Sequence, residues 1–399
     1  MEKAICKQLE IKILIYLKKY LLFILSILIS FTSISQSVVN HKDNELISLL
    51  KGKDKLIDLV LDNQDKYHLQ INFTKVDANK NEITLHDYSL NKDKHYFHPA
   101  SLIKLPIAIT SLELFSKFEE DYGIDLNTFV HSETCSCDFN TDKYVNNKMR
   151  PNLDILLREM LIMSNNESYN FFFNFSGPTY FNRRMKELSL NNIILRNRFY
   201  AGCTYQGANE HGGLYFQKDN SSNKYKIGCI KDSLKTIEQS LYLNYPNSRS
   251  SNVVSLYSIH RLMIQLFYPQ SFNPDFKLFL SSKNLDFLKT TLSSYPNSLP
   301  NYQNIPSHFH KYLMPSAFLN KQNNNIKIYS KNGNAGGYIS DVMFLNDEEH
   351  HVKYFLSVSM LNYKQKSYYK RRVIYTTPGI DVFRKISNVL YEYAKKQSH

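Results

Sequence analysis

With 399 residues, 43% of them hydrophobic and 14% aromatic, the chain has the length and apolar content to build a buried core, which excludes a disordered polar polypeptide. Its net charge of +13 favours anionic partners such as cell-wall polymer, acidic lipid or a carboxylate-bearing substrate. The basic residues are dispersed rather than striped with aromatics, so nucleic acid is the poorer reading and a solvated basic surface the simpler one.

Lys18 and Lys19 precede an apolar run from Tyr20 to Phe31, which gives way to Thr32-Ser33-Ile34-Ser35-Gln36. A basic lead, about a dozen apolar residues and small residues after them describe a signal peptide over 1–35, too short for a membrane span of roughly 20 residues. The mature protein, 36–399, is then exported to the periplasm or beyond the cell, with no stable membrane span. Residues 1–35 carry five Lys and two Glu, so +10 of the +13 remains. An uncleaved anchor is the competing reading.

Asn44 to Asp62 has helical apolar spacing. Two strand-like runs, Tyr67 to Val76 and Glu82 to Tyr88, flank a polar turn and predict a hairpin. Helical patterns follow from Ser101 to about Phe118, Leu153 to about Phe175 and Gly177 to Leu188, with a polar, mixed stretch over 119–150. Residues 191–250 read as long loops. Val253 to Phe267 and Phe276 to Leu292 are helical, and strands are expected at Ile326 to Ser330, Ile339 to Leu345 and Lys353 to Leu361. Ile380 to Lys396 reads as a closing amphipathic helix. This order predicts an α/β fold: one antiparallel sheet built from both chain ends (36–100 and 326–399), flanked by N- and C-terminal helices, plus an all-helical subdomain over about 101–325. With no linker or repeat, 36–399 is expected to be a single domain and a monomer.

Cys135, Cys137, Cys203 and Cys229 follow the apolar run. In an oxidising compartment they allow two bridges in three connectivities. Cys135-Ser136-Cys137 is too closely spaced for the usual structural zinc pair.

Ser-x-x-Lys occurs five times, at Ser48, Ser89, Ser101, Ser221 and Ser367, so the bare motif decides nothing. Only Ser101-Leu102-Ile103-Lys104 follows the hairpin and opens an apolar helix. Residues three apart share a helical face, and a desolvated Lys104 can take the proton of the Ser101 hydroxyl. A Ser capping a core helix is the plainer alternative. Next, Ser164-Asn165-Asn166 interrupts a helical apolar stretch, as either a loop or a site. Last, Lys331-Asn332-Gly333 follows IKIYS, where Lys331 offers a cation and Gly333 permits close approach. Asn-Gly is equally a hairpin-turn signal.

The three motifs in this order resemble the class A β-lactamase-like serine hydrolases. HPASLIKLPIAI looks like that family's nucleophile helix, MSNNESYN like its Ser-Asp-Asn loop with the later Asn170, and YSKNGNAGGYISDVMFL like its Lys-Thr-Gly strand and the strand after it. The resemblance implies Ser101 as the acylated nucleophile, Lys104 as its base and Ser164 as a proton relay. It implies Asn166 on the substrate amide, Lys331 on a substrate carboxylate, and the backbone N–H groups of Ser101 and Asn334 as the oxyanion hole. Asn170, Asn332, Gly333 and Asn334 fall in the substrate-binding set. No metal or organic cofactor is implied.

The implied fold is an α/β part against a helical one, and the implied reaction is acylation of Ser101 by a β-lactam or related amide, then hydrolysis. Two departures matter. Asn165 and Asn332 stand where the family has Asp and Thr or Ser. The family's deacylating Glu falls near Tyr200, yet Ser189 to Ala208 contains no acid, leaving Glu210 as the nearest candidate. A peptidoglycan D,D-peptidase or transpeptidase with a slow acyl-enzyme, and a non-catalytic cell-surface binding protein of the same fold, therefore stay open.

Overall fold

A computed structural model describes residues 42–79, 82–132, 151–199, 210–211, 214–217, 224–227, 230–231, 251–306, 308–319, 325–362 and 379–398. The expected signal peptide and the four cysteines after it lie outside these residues.

The first helical stretch is two helices, α1 (Lys42–Leu50) and α2 (Lys55–Asp62). Gly52 turns the chain at φ +75°, and the Asp54 carboxylate accepts the Leu56 N–H at 2.7 Å to cap α2. The apolar stripe crosses the break, since Leu46, Leu50, Ile57 and Val60 share one core. The hairpin follows as β1 (Gln70–Asn79) and β2 (Glu82–Leu90). A 3-10 turn at Ala100–Ile103 leads into α3 (Lys104–Tyr122), which Gly123 ends in a left-handed cap.

The helical part adds α4 (Leu153–Ile162), α5 (Asn166–Ser176), α6 (Pro178–Glu187), α7 (Leu256–Phe267) and α8 (Ser282–Ser293). Short strands thread it: β3 (Phe129–Ser132), β4 (Ile193–Ile194), β5 (Glu210–His211), β6 (Leu214–Gln217), β7 (Lys224–Ile227), β8 (Ile230–Lys231) and β9 (Val253–Val254). They pair as β3–β6–β7, β4–β9 and β5–β8. The chain closes with β10 (Ile326–Ala335), β11 (Tyr338–Asp347), β12 (Val352–Leu361) and α9 (Gly379–Gln397).

Both ends of the chain do build one antiparallel sheet, in the order β10-β11-β12-β1-β2. Alternation along the strands divides the core in two. Val342, Phe344 and Phe355 face the helical part, while Ile339, Met343, Leu345 and Leu356 pack with α1, α2 and α9. A buried polar chain keys α7 to the sheet. Thr74 Oγ1 donates to Asp87 Oδ1 at 2.6 Å and lies 2.8 Å from His260 Nε2, while His260 Nδ1 lies 2.7 Å from Ser357 Oγ. Burial pushes the His260 pKa down to about 3, so the ring is neutral: its Nε2–H donates to Thr74 and its Nδ1 accepts from Ser357. Among the described residues, no helix is long and apolar enough to cross a membrane.

Candidate functional site

Ser101 lies in the 3-10 turn rather than in an α-helix, which begins only at Lys104. In a 3-10 turn, positions three apart eclipse, so Ser101 and Lys104 share one side. The turn is held by the Leu102 N–H on Pro99 O (3.0 Å) and by the Ala100 N–H on His98 Nδ1 (3.0 Å). Ala100 pays a local strain at φ +48°, a value uncommon for a residue with a Cβ. β10 presses against this turn at Gly333. A Cβ there would meet Pro99 O at 2.6 Å and Leu102 N at 3.3 Å, so only glycine allows the approach.

The helical pattern of 153–175 breaks at Ser164, where φ is +58°. Asn165 then starts α5 by accepting the Ser168 N–H at 3.0 Å. The break turns Ser164 and Asn166 toward Lys104. Lys104 Nζ donates to the Ser164 carbonyl and to Asn166 Oδ1 at 2.6 Å, and lies 3.5 Å from Ser164 Oγ. From the opposite side Lys331 Nζ donates to Ser164 Oγ at 2.9 Å. One hydroxyl thus stands between two buried lysine amines.

Burial, and then the charge of Lys331, hold the Lys104 pKa well below the ordinary lysine value. Lys331 is pushed down to about 7 by burial, with Asp341 opposing and Lys311 reinforcing the shift. Burial also takes Lys311 down to about 7 and Asp341 up to about 7. Folded lysine pKa values below the unfolded value cost stability when the unfolded chain is protonated, so this cost is full below pH 7 and fades toward pH 10.5.

The remaining expected residues are placed as follows. Asn332 and Gly333 lie within β10, paired with Asp341 and Ser340, and not in a turn. The turn is Gly336-Gly337, both at positive φ, as a two-residue hairpin loop demands. Asn332 folds back, its Oδ1 3.3 Å and its carbonyl 3.1 Å from Lys331 Nζ, and Asn334 is exposed near the strand end. Asn170 is occupied elsewhere: its Nδ2 donates to Phe199 O at 2.7 Å and its Oδ1 accepts the Phe199 N–H at 2.8 Å. Its amide therefore holds the backbone of Phe199 at both ends. Glu210 starts β5, paired with Lys231, and its side chain lies outside what is described.

Several residues at the site escape motif reasoning. Phe199 places its ring centroid 5.3 Å from Lys104 Nζ and stacks on Tyr169 at 4.4 Å. The backbone before it is held by further asparagines: Asn182 on Leu195, Asn252 on Arg196 and Asn197. Asp341, on β11 opposite Asn332, accepts the Leu313 N–H at 3.0 Å, and Lys311 Nζ donates to Ile328 O on the sheet edge at 2.7 Å. His310 is bonded to the Met163 backbone and is kept neutral, its pKa pushed down to about 3 by burial and by Lys331, Lys104 and Lys311. An acid in the otherwise apolar YISDVMFL is the one signal that could have exposed any of these.

A family model described as "Beta-lactamase enzyme family" matches residues 53–240. Among solved structures, TLA-3 extended-spectrum beta-lactamase aligns with a TM-score of 0.50 at 13% identity, covering 89% of this chain and 99% of that one. The beta-lactamase of Desulfarculus baarsii DSM 2075 aligns at 0.51 and 12%, covering 88% and 97%. A class A beta-lactamase representative from Bacteroides cellulosilyticus DSM 14838 aligns at 0.50 and 12%, covering 88% and 96%. At such identities these likenesses speak for the fold. No curated protein matches significantly.

Proposed function

The chain is class A β-lactamase-like in family and fold, and from that premise we propose that it is an exported acyl-transfer enzyme whose Ser101 is acylated by a β-lactam or related amide and released slowly. The observation that carries the acylation is Ser164 Oγ, 2.9 Å from Lys331 Nζ and 3.5 Å from Lys104 Nζ. Lys104, its pKa lowered, takes the Ser101 proton as Oγ attacks the carbonyl carbon. The N–H groups of Ser101 and Asn334 receive the oxyanion. Ser164 passes the proton to the leaving nitrogen and is reprotonated from Lys104. Lys331, when charged, pairs with a substrate carboxylate, and Asn166 Nδ2 donates to the substrate amide oxygen.

Phe199 favours the second half of the reading. Hydrolysis of the acyl-enzyme needs a water and a base, and the loop segment facing Lys104 offers a phenyl ring. A long-lived acyl-enzyme suits a peptidoglycan D,D-peptidase or transpeptidase better than a rapid lactamase. Intact-mass spectrometry after a penicillin pulse tests both halves. The expected record is one adduct on Ser101, absent from Ser101→Ala, that decays slowly, with weak turnover of a chromogenic cephalosporin. A folded protein that takes no adduct and turns nothing over overturns the proposal.

A further inference from the structure

Asn165 is the residue of the middle motif that points away from Lys104, and its amide is used at both ends. Its Oδ1 accepts the Ser168 N–H at 3.0 Å, and its Nδ2 donates to Glu159 Oε2 at 3.3 Å. Ser168 Oγ lies 3.5 Å from the same Glu159 oxygen, and the Glu159 carbonyl accepts the Asn165 N–H at 3.1 Å. Glu159 is 5% exposed and belongs to α4, while Ser168 belongs to α5. One buried carboxylate therefore ties the end of α4 to the start of α5, across the left-handed Ser164.

An ionised Asp at position 165 has acceptors only. It could still cap α5, but it would lose the donor to Glu159 and set two carboxylates about 3 Å apart, where both cannot remain charged. We infer that Glu159 is the positioning residue of the Ser164–Asn166 turn, and that Asn rather than Asp stands at 165 because Glu159 already supplies the negative charge there. On this account the charge of the turn sits on the helix rather than in the loop, while Ser164 and Asn166 face Lys104. Other charges nearby are engaged or remote: Arg158 pairs with Asp154, Glu167 is exposed, and Tyr302 lies in the field of both Glu159 and Glu167.

The test is a double-mutant cycle of Asn165→Asp, Glu159→Gln and the pair together, on the full mature chain. Two readouts are followed from pH 5 to 9: the rate of Ser101 labelling by a fluorescent penicillin, and the melting temperature. Asn165→Asp alone should label about tenfold more slowly at pH 8 and recover toward pH 5, as the two carboxylates share a proton. Its melting temperature should fall with rising pH over the same window, because the folded pair binds a proton that the unfolded chain has released. Adding Glu159→Gln should return the rate to within about twofold of wild type and flatten both pH profiles. Should Asn165→Asp fail to fold, recovery of a folded double variant is the rescue itself. The inference rests on the acylation reading for its rate arm alone: if the wild type takes no label, the melting cycle still judges the pairing. An Asn165→Asp protein that matches wild type at pH 8, or a double variant no better than Asn165→Asp, overturns it.

Discussion

The two walls that meet at Lys104 are built with equal care from opposite materials. On one side stand the 3-10 turn that carries Ser101, the Ser164 turn beside the Lys104 amine, and β10, which brings Lys331 to Ser164. On the other, residues 195–199 are held backbone atom by backbone atom by Asn182, Asn252 and Asn170, and they present Phe199. The first wall is polar and carries ionisable groups, the second sets an apolar ring beside a buried lysine. On the proposed reading, the difference makes taking an acyl group and losing it separable tasks, each with its own supporting shell.

The largest effect is expected from breaking the first wall. Gly333→Ala sets a Cβ 2.6 Å from Pro99 O, which is backbone and cannot swing aside, so β10 must part from the turn that carries Ser101. Labelling by penicillin should fall by about a hundredfold, the scale of an ångström-sized misplacement, and stability by roughly 1–3 kcal/mol. Labelling kinetics and a urea titration check it. An undiminished rate would show that the contact between β10 and the turn is not what places the nucleophile.

Changing the second wall comes next. Phe199→Glu puts a carboxylate beside Lys104 on a backbone that Asn170 continues to hold. The acyl-enzyme should be lost about tenfold faster, read by mass spectrometry over time. Acylation should slow a few-fold, because a neighbouring anion raises the Lys104 pKa and leaves less free amine. A lifetime that does not change would mean that water, and not a base, is what the ring withholds.

The smallest effect sharpens the electrostatics of the first wall. Lys331 must be protonated to bind a carboxylate, so second-order acylation should fall as pH rises through about 7. Asp341 is the group that holds the Lys331 pKa up. Asp341→Asn should therefore move this alkaline limb about one unit toward acid, with little change at pH 5. A pH–rate profile with a carboxylate-bearing penicillin decides, and an unmoved limb would assign the titration to another group.

The sheet and the order of the motifs were legible because they depend on local period and short spacing. The strands near 326, 339 and 353 are short apolar runs bounded by polar residues, and Ser101-x-x-Lys104 is one turn long. Breaks within apolar patterns were not. Asn44 to Asp62 reads as one helix because its stripe survives the turn at Gly52, and 153–175 does so because a Ser in left-handed conformation leaves no trace in hydropathy. Asn332-Gly333 invites a turn that Gly336-Gly337 takes, since the neighbouring turn of Ser101 needs Gly333 flat in the strand. Phe199, Asp341 and Glu159 act through partners far away in sequence or through a buried hydrogen bond, and no spacing rule reaches those.

The chain of hydrogen bonds from Asp87 through Thr74 and His260 to Ser357 has a consequence for how the protein comes apart. It joins α7 to β1 and β12, so the helical part cannot lift from the sheet without breaking both buried bonds of His260, to Thr74 and to Ser357, at once. The amides of α7 and of the central strands should then exchange with solvent deuterons at one common rate, set by complete unfolding and by no smaller opening.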